Sequence, residues 1–333
     1  SRTLIQISSA KEYLNNFTPI PGSAGEFVLI APSAEYGIRK NKNLVQELSE
    51  IETKVPTVLG FAANSERVFE LGMELSSLEK VQKTRRELEG DAVARKEVSG
   101  RLTTVRAELA DELKNSFETA EWFQAGQPIN RETRSTLPAI ASKLAIETFP
   151  QTPPIHNELV NRESLSGNAV KARRELMYQM LNRKGEQRLG YEGYSADAGL
   201  YYSIIEHNNL YQLIDNEWTF TTTDKKSFGK HFSPMWEAAD KLFKKSKDSV
   251  TLQQLYDIWQ SKPIGARKGI LPIFALIYFL GNRHNLGLYI ENTFIPDLTE
   301  AYLDEWMQDT RRVAFKYVEI GKQRESLLKA LST

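Results

Sequence analysis

The sequence contains no cysteine, which excludes disulfides, thiol nucleophiles and thiolate metal ligands together. That absence fits a reducing interior, and a cytoplasmic location is expected. The chain also lacks net charge, since 43 Lys and Arg balance 43 Asp and Glu. Nothing therefore draws it as a whole to a phosphate backbone or an anionic membrane, and any nucleic-acid surface must be a local patch. Long apolar runs are missing too. The longest, Ile270 to Leu280, holds Pro272, is flanked by Lys268 and Arg283, and is too short to span a bilayer. It reads as a core helix, and no membrane partner is expected. There is no phosphate-cradling Walker loop, no paired-glycine dinucleotide turn and no serine nucleophile elbow, so neither an enzyme activity nor a cofactor is expected of these residues. The four histidines, His156, His207, His231 and His284, stand far apart, none with a second His at ligand spacing, and no metal site is expected. The chain opens Ser-Arg-Thr, without an initiator Met or a basic-then-apolar leader, and is read as a segment of a longer protein.

What is present describes a globular chain. Hydrophobic residues make up 41% and charged residues 26%, far from the composition of disordered proteins. With 333 residues the length exceeds that at which one core stops growing, so several substructures are expected. The fold class expected is α+β, mainly α. Residues 1–62 read as a small α/β piece: Glu26–Ala31 (EFVLIA) and Val55–Ala62 (VPTVLGFA) are β-rich apolar runs with room for one helix between them. Such a crossover favours parallel strands, and since two strands alone are marginal, the rest of the sheet is expected outside the chain. Residues 63–118 carry two helical seams, Val68, Leu71, Leu75, Leu78 and then Val98, Leu102, Val105, Leu109. Gly90 and Asp91 interrupt them, Asp91 as an N-cap, which suggests a long coiled-coil-like hairpin. One continuous rod is the alternative, because a single Gly costs only about 1 kcal/mol in a helix.

Residues 119–232 are expected to form a helical middle region, with a loop at Gly126 and Pro128, a helix presenting Leu137, Ile140 and Leu144, and another over Asn168–Arg183 stopped by Gly185. Residues 233–320 read as three helices, near Pro234–Lys245, Leu252–Gln260 and Lys268–Gly281, then a strand pair turning at Glu291-Asn292, a helix and a last strand. Three helices before a β-hairpin is the winged-helix order.

Two sets of residues carry candidate chemistry. Lys171, Arg173, Arg174, Arg183, Lys184 and Arg188, with Arg267 and Lys268 and the run Lys241, Lys244, Lys245 and Lys247, are candidates for phosphate contacts, although interspersed acids also fit a solvated helix face. A base-reading third helix must offer a polar face, whereas Ile270–Leu280 is apolar all round, which favours packing or protein contact. His156-Asn157-Glu158 has the makings of a general base with helpers; a polar cluster after prolines equally caps a helix or satisfies buried backbone.

Several stretches taken together resemble a known family: PPIHNELVNRESLSGNAVKARRELMYQML (Pro153–Leu181), RLGYEGYSADAGLYYSII (Arg188–Ile205), the run from Lys262 to Leu298, and ELEGDAVARKEVSGRL (Glu87–Leu102). They are similar to the region outside the nucleotide-binding core of the BrxC/PglY-like large P-loop ATPases of bacterial phage-defence (BREX-type) clusters. The resemblance implies a piece of an ATP-dependent machine acting against foreign DNA, with other domains or subunits of an ATPase assembly as partners. The family's nucleotide-binding loop has no counterpart here, so its ATPase activity maps onto no residue of this chain. The most motif-like residues within the resemblance are Asn157, Glu158, Asn161 and Arg162, of unassigned role. An Arg so placed can stabilise phosphoryl charge across an interface; helix capping and a salt bridge are the structural alternative. The function expected is a non-catalytic interaction and regulatory segment. A nucleic-acid-binding module using the basic helix and the wing is the alternative, and a cryptic hydrolase around His156 and Glu158 a third reading.

Overall fold

A computed structural model describes residues 2–19, 22–31, 38–85, 87–129, 137–221, 231–246 and 248–318. Among them helix predominates over strand in a mixed α/β fold. The chain divides into two compact units, Ser1–Thr148 and Phe149–Thr333, and the boundary between them falls inside the middle region expected over 119–232.

The first unit runs β1 (Arg2–Gln6), α1 (Ala10–Asn16), β2 (Glu26–Ala31), α2 (Ile38–Ser49), β3 (Thr57–Phe61), α3 (Ser65–Thr84), α4 (Glu87–Gly90), α5 (Ala92–Thr119), β4 (Glu121–Gln124), β5 (Gln127–Pro128) and α6 (Leu137–Thr148). Its sheet has the order β1-β2-β3-β4-β5. The first three strands are parallel and β4 returns antiparallel to β3. The expectation that the strands beyond the first two lie outside the chain is thus corrected: β1, β4 and β5 supply further strands from within it. All six residues of β2 are buried because both faces of this central strand are covered. Val28 and Ile30 pack with Ala10, Leu14, Val45 and Leu48 on one face, while Phe27 and Leu29 pack with Trp122, Ile140 and Leu144 on the other. That alternation is the period-2 geometry of a strand.

Between β3 and β4 the chain makes an antiparallel helical pair. Val68 and Leu71 of α3 and Leu102 and Val105 of α5 are buried, whereas Leu75, Leu78, Val98 and Leu109 are only half-buried. Asp91 caps α5, its carboxylate accepting hydrogen bonds from the Val93 and Ala94 amides at 2.9 and 3.0 Å. The extended backbone of Arg85 ends α3, so the pair is two helices and not one rod. Three ion pairs, Arg67–Glu108 at 3.2 Å, Arg101–Glu74 at 2.6 Å and Arg106–Glu79 at 2.8 Å, line its flank. Half-exposed pairs of this kind contribute little each.

The second unit contains α7 (Gly167–Asn182), α8 (Ala196–Leu200) continuing into a π-helical turn (Tyr201–Glu206), β6 (Tyr211–Ile214), β7 (Glu217–Phe220), α9 (Ser233–Lys245), β8 (Val250–Thr251), α10 (Leu252–Gln260), α11 (Leu271–Gly281), β9 (Leu286–Ile290), β10 (Thr293–Ile295), α12 (Glu300–Gln308) and β11 (Val313–Tyr317). The middle region is therefore not wholly helical. Four strands, β4 to β7, fall within it because two short hairpins close through left-handed pairs, Ala125-Gly126 and Asp215-Asn216. In the last third the sheet order is β10-β9-β11-β8. β11 lies antiparallel between β8 and β9, so the β9/β10 hairpin does not itself meet β8.

One core serves the whole unit. α11 is buried continuously from Leu271 to Phe279. Around it Trp236, Trp259 and Phe243 make edge-on and stacked contacts with Tyr278 of the helix and with one another. Two polar groups carried into this core are hydrogen-bonded, the Trp259 indole donating to the Met235 carbonyl at 2.8 Å and the Tyr278 hydroxyl to Asp240 at 2.6 Å, whereas the Tyr256 hydroxyl and the Trp306 indole nitrogen are buried without a partner among the described residues. Burial together with the Asp240 carboxylate pushes the Tyr278 phenol far above its usual value.

Candidate functional site

The basic residues of α7 and its surroundings do not present a single charged face. Lys171 and Arg174, three residues apart on the helix, are exposed, and Arg174 lies 5.9 Å over the Tyr178 ring. Arg173 turns the other way. Its guanidinium donates to the Gly269 carbonyl at 2.8 Å, and burial holds it below the usual arginine range. Arg183 pairs with Glu186 at 2.7 Å, and Arg267 with Glu163 at 3.4 Å. Lys184 is exposed, yet partial burial and the neighbouring Arg283 lower its ammonium pKa, Asp297 opposing them. Lys268 is exposed, as are Lys241, Lys244 and Lys245 on α9. Lys247 lies outside the described residues.

The residues around His156 are similarly divided. Glu158 points outward, 94% exposed, and pairs with Arg162 four residues on at 3.4 Å, not with His156. The Asn157 carboxamide oxygen accepts from the Leu159 amide at 3.0 Å, and its nitrogen donates to Ser203 Oγ at 2.8 Å. The Asn161 side chain donates to the Ile155 carbonyl at 3.4 Å. The bonds to Leu159 and Ile155 stabilise the local turn, and the bond to Ser203 ties it to a distant segment. The segment is pinned to the α11 approach by Gly269, whose amide donates to the Arg162 carbonyl at 2.8 Å. A Cβ at Gly269 would collide with the carbonyls of Val160 and Arg162, so only glycine admits this approach. Ser203 donates its proton to the Gly199 carbonyl at 2.7 Å, and a hydroxyl so engaged is not an activated nucleophile.

His156 nevertheless belongs to a site that its sequence neighbours do not announce. It lines an open cleft of about 700 Å³ together with Arg188, Tyr191, Glu192, Tyr194, Tyr202, Glu206 and His207. The π-helical turn supplies one wall. Its wider backbone bonds, His207 N to Tyr202 O and Leu210 N to Ile205 O at 3.0 Å, carry Tyr202, Ser203, Glu206 and His207 onto the same side. Turns of this kind recur at functional sites. The facing wall contains two successive non-glycine residues in the left-handed region, Arg188 (φ 55°) and Leu189 (φ 50°), followed by Gly190 (φ 72°). Such backbone costs on the order of 1–3 kcal/mol per residue and persists where its surroundings enforce it. Here Leu189 is buried in the core, and Arg188 reaches Glu206 across the cleft at 2.8 Å.

The tyrosines form a ladder of tilted and edge contacts, Tyr191 to Tyr201, Tyr201 to Tyr202, and Tyr202 to Tyr194, with centroids 5.5 to 5.7 Å apart. The Tyr191 hydroxyl donates to Asp197 at 2.8 Å. Burial and that carboxylate push the Tyr191 phenol far above its usual value. Burial opposes the Asp197 charge, but hydrogen bonds from Ser195, Tyr191 and the Asp197 and Ala198 amides hold its carboxyl below the usual range. The His156 and His207 rings stand edge to face with centroids 6.1 Å apart. Among the described residues no group of three or more His, Asp and Glu side chains is arranged to hold a metal ion. A smaller cavity in the first unit, about 230 Å³, lies among Leu14, Leu48, Pro56 and Leu59 and is lined by no charged side chain. None of the helices of the described residues is long and apolar enough to cross a membrane.

Sequence reasoning missed this cleft because its walls come from residues 156, 188–194 and 199–207, which no spacing rule joins. The available signal was the concentration of tyrosine in RLGYEGYSADAGLYYSIIEH. Compared with known proteins, the chain matches no protein-family model, no curated protein and no solved structure.

Proposed function

We propose that this chain is a non-catalytic interaction and regulatory segment of a larger ATP-dependent phage-defence protein of the cytoplasm, whose partners are other domains or subunits of that assembly. Its last third is a winged-helix-like module used for packing. The order α9, β8, α10, α11, then β9 and β11, with β11 between β8 and β9, supports that reading, β10 and α12 being an insertion where a wing would stand. The observation that carries the interaction role is α11. It occupies the place of a base-reading helix, yet nine consecutive residues from Leu271 to Phe279 are buried, leaving no face for a major groove. The inward turn of Arg173 and the pairing of Arg183 and Arg267 with carboxylates further reduce the charge offered to phosphates.

The test is a titration of labelled duplex DNA at low and moderate salt, with ATP binding followed on the same sample. Neither ligand is expected to bind. Salt-dependent duplex binding that disappears in the Lys171→Glu, Arg174→Glu double variant would overturn this reading in favour of a nucleic-acid-binding module.

A further inference from the structure

The tyrosine cleft of the second unit has the chemistry of a cation receptor, and its geometry stands whether or not the chain belongs to an ATPase assembly. We infer that it binds an organic cation, the guanidinium or ammonium of a basic side chain or of a small molecule, between tyrosine faces and carboxylates.

Three observations carry this. The first is the ring surface. Tyr194 is 93% exposed at the cleft rim, its ring meeting only that of Tyr202 at 5.7 Å among the described aromatics. An aromatic side chain left in water beside a second ring offers a π-face to a ligand, and a cation is drawn to that face by the ring quadrupole. The second is charge. Among the lining side chains of fixed charge, Arg188 stands against Glu192 and Glu206. Glu206 already neutralises Arg188 at 2.8 Å, so Glu192 remains as the wall's excess charge. Behind Tyr191 sits the Asp197 carboxylate, held ionised by its hydrogen bonds. An anion entering here would meet a neutralised arginine and the Glu192 carboxylate, whereas a cation meets tyrosine faces and negative charge. The third is preorganisation. The left-handed Arg188-Leu189 pair and the π-helical turn hold Arg188 and Glu206 together across the cleft. A site built on fixed backbone loses less entropy on binding than one built on mobile loops.

Calorimetric titration of the whole chain with an acetylated, amidated arginine peptide, the matching lysine peptide and tetramethylammonium chloride tests the inference. The isosteric citrulline peptide and adenosine monophosphate serve as the uncharged and anionic comparisons. Saturable binding of the cations, absent for citrulline and the nucleotide, is expected. It should weaken about 5- to 30-fold in Tyr194→Ala, survive in Tyr194→Phe, which keeps the ring face, and weaken also in Glu192→Gln. Both residues are exposed, so each variant should melt at the wild-type temperature. Preference for a peptide over tetramethylammonium assigns a polypeptide partner, and equal binding assigns a small cation. Absence of cation binding, binding indifferent to both substitutions, or tighter binding of the nucleotide than of any cation overturns the inference.

Discussion

Arg173 illustrates how a side chain that looks like a phosphate contact in sequence becomes part of a core. Its neighbours Ala172, Leu176 and Met177 face inward on α7, and at 3.6 residues per turn position 173 shares their side of the helix more than that of Lys171 and Arg174. The stem is drawn in and the guanidinium meets the Gly269 carbonyl. Arg173→Ala should therefore lower stability by about 1.5–3 kcal/mol, the range for a hydrogen bond from a charged group. Chemical denaturation measures this, and an unchanged midpoint would show the side chain to be a surface cation after all. Asp197 makes a prediction with a sign. Its carboxyl is held below the usual value of 3.8, so its contribution is present above that value and is lost as pH falls through the lower native one. The urea midpoint of wild type should exceed that of Asp197→Asn near neutrality, the two converging in acid. A gap of constant size at both pH values would refute the linkage.

At the scale of elements, local rules determine how helices begin. α10 starts with a reciprocal capping box: Thr251 Oγ1 accepts from the Gln254 amide at 3.2 Å, and the Gln254 side chain accepts from the Thr251 amide at 2.8 Å. Thr251→Ala should cost about 0.5–2 kcal/mol, the range for losing such a cap, and an unchanged thermal midpoint would mean that packing of Leu252, Leu255 and Trp259 alone sets the start of α10. Features of this local kind were legible in the sequence. Asp91 as a cap, α10 over Leu252–Gln260, and the β9/β10 hairpin with its Glu291-Asn292 turn all follow from neighbouring residues. What was not legible depends on distant partners. β4 (EWFQ) reads as a loop until Trp122 is set against Gly60 across the sheet, where a side chain at position 60 would strike the indole. β11 inserts between β8 and β9 through pairings that no local period encodes. The cleft joins residues nearly fifty positions apart, such as His156 and Ser203, and its strained Arg188-Leu189 corner violates local preference, so propensity argues against it.

At the scale of the molecule, the second unit has the attributes of a self-sufficient folding unit. Its core is one contiguous cluster running from Val160 through the four-stranded sheet to Phe315. Three of the five tryptophans, Trp236, Trp259 and Trp306, are buried in it. A chain of this length buries enough apolar surface to offset its conformational entropy. Residues 149–333 produced alone should therefore fold, with buried-tryptophan emission and one cooperative thermal transition. The aromatic contacts of Trp236 with Phe274 and Tyr278, and of Trp306 with Phe315, require α9, α11, α12 and β11 to be docked at the same time, so they should be lost together. A fragment with helical far-ultraviolet dichroism but red-shifted tryptophan emission and no sharp transition would contradict this. It would mean that the continuous burial of α11 depends on residues before Phe149, and the packing role assigned to that helix would then extend beyond its own unit.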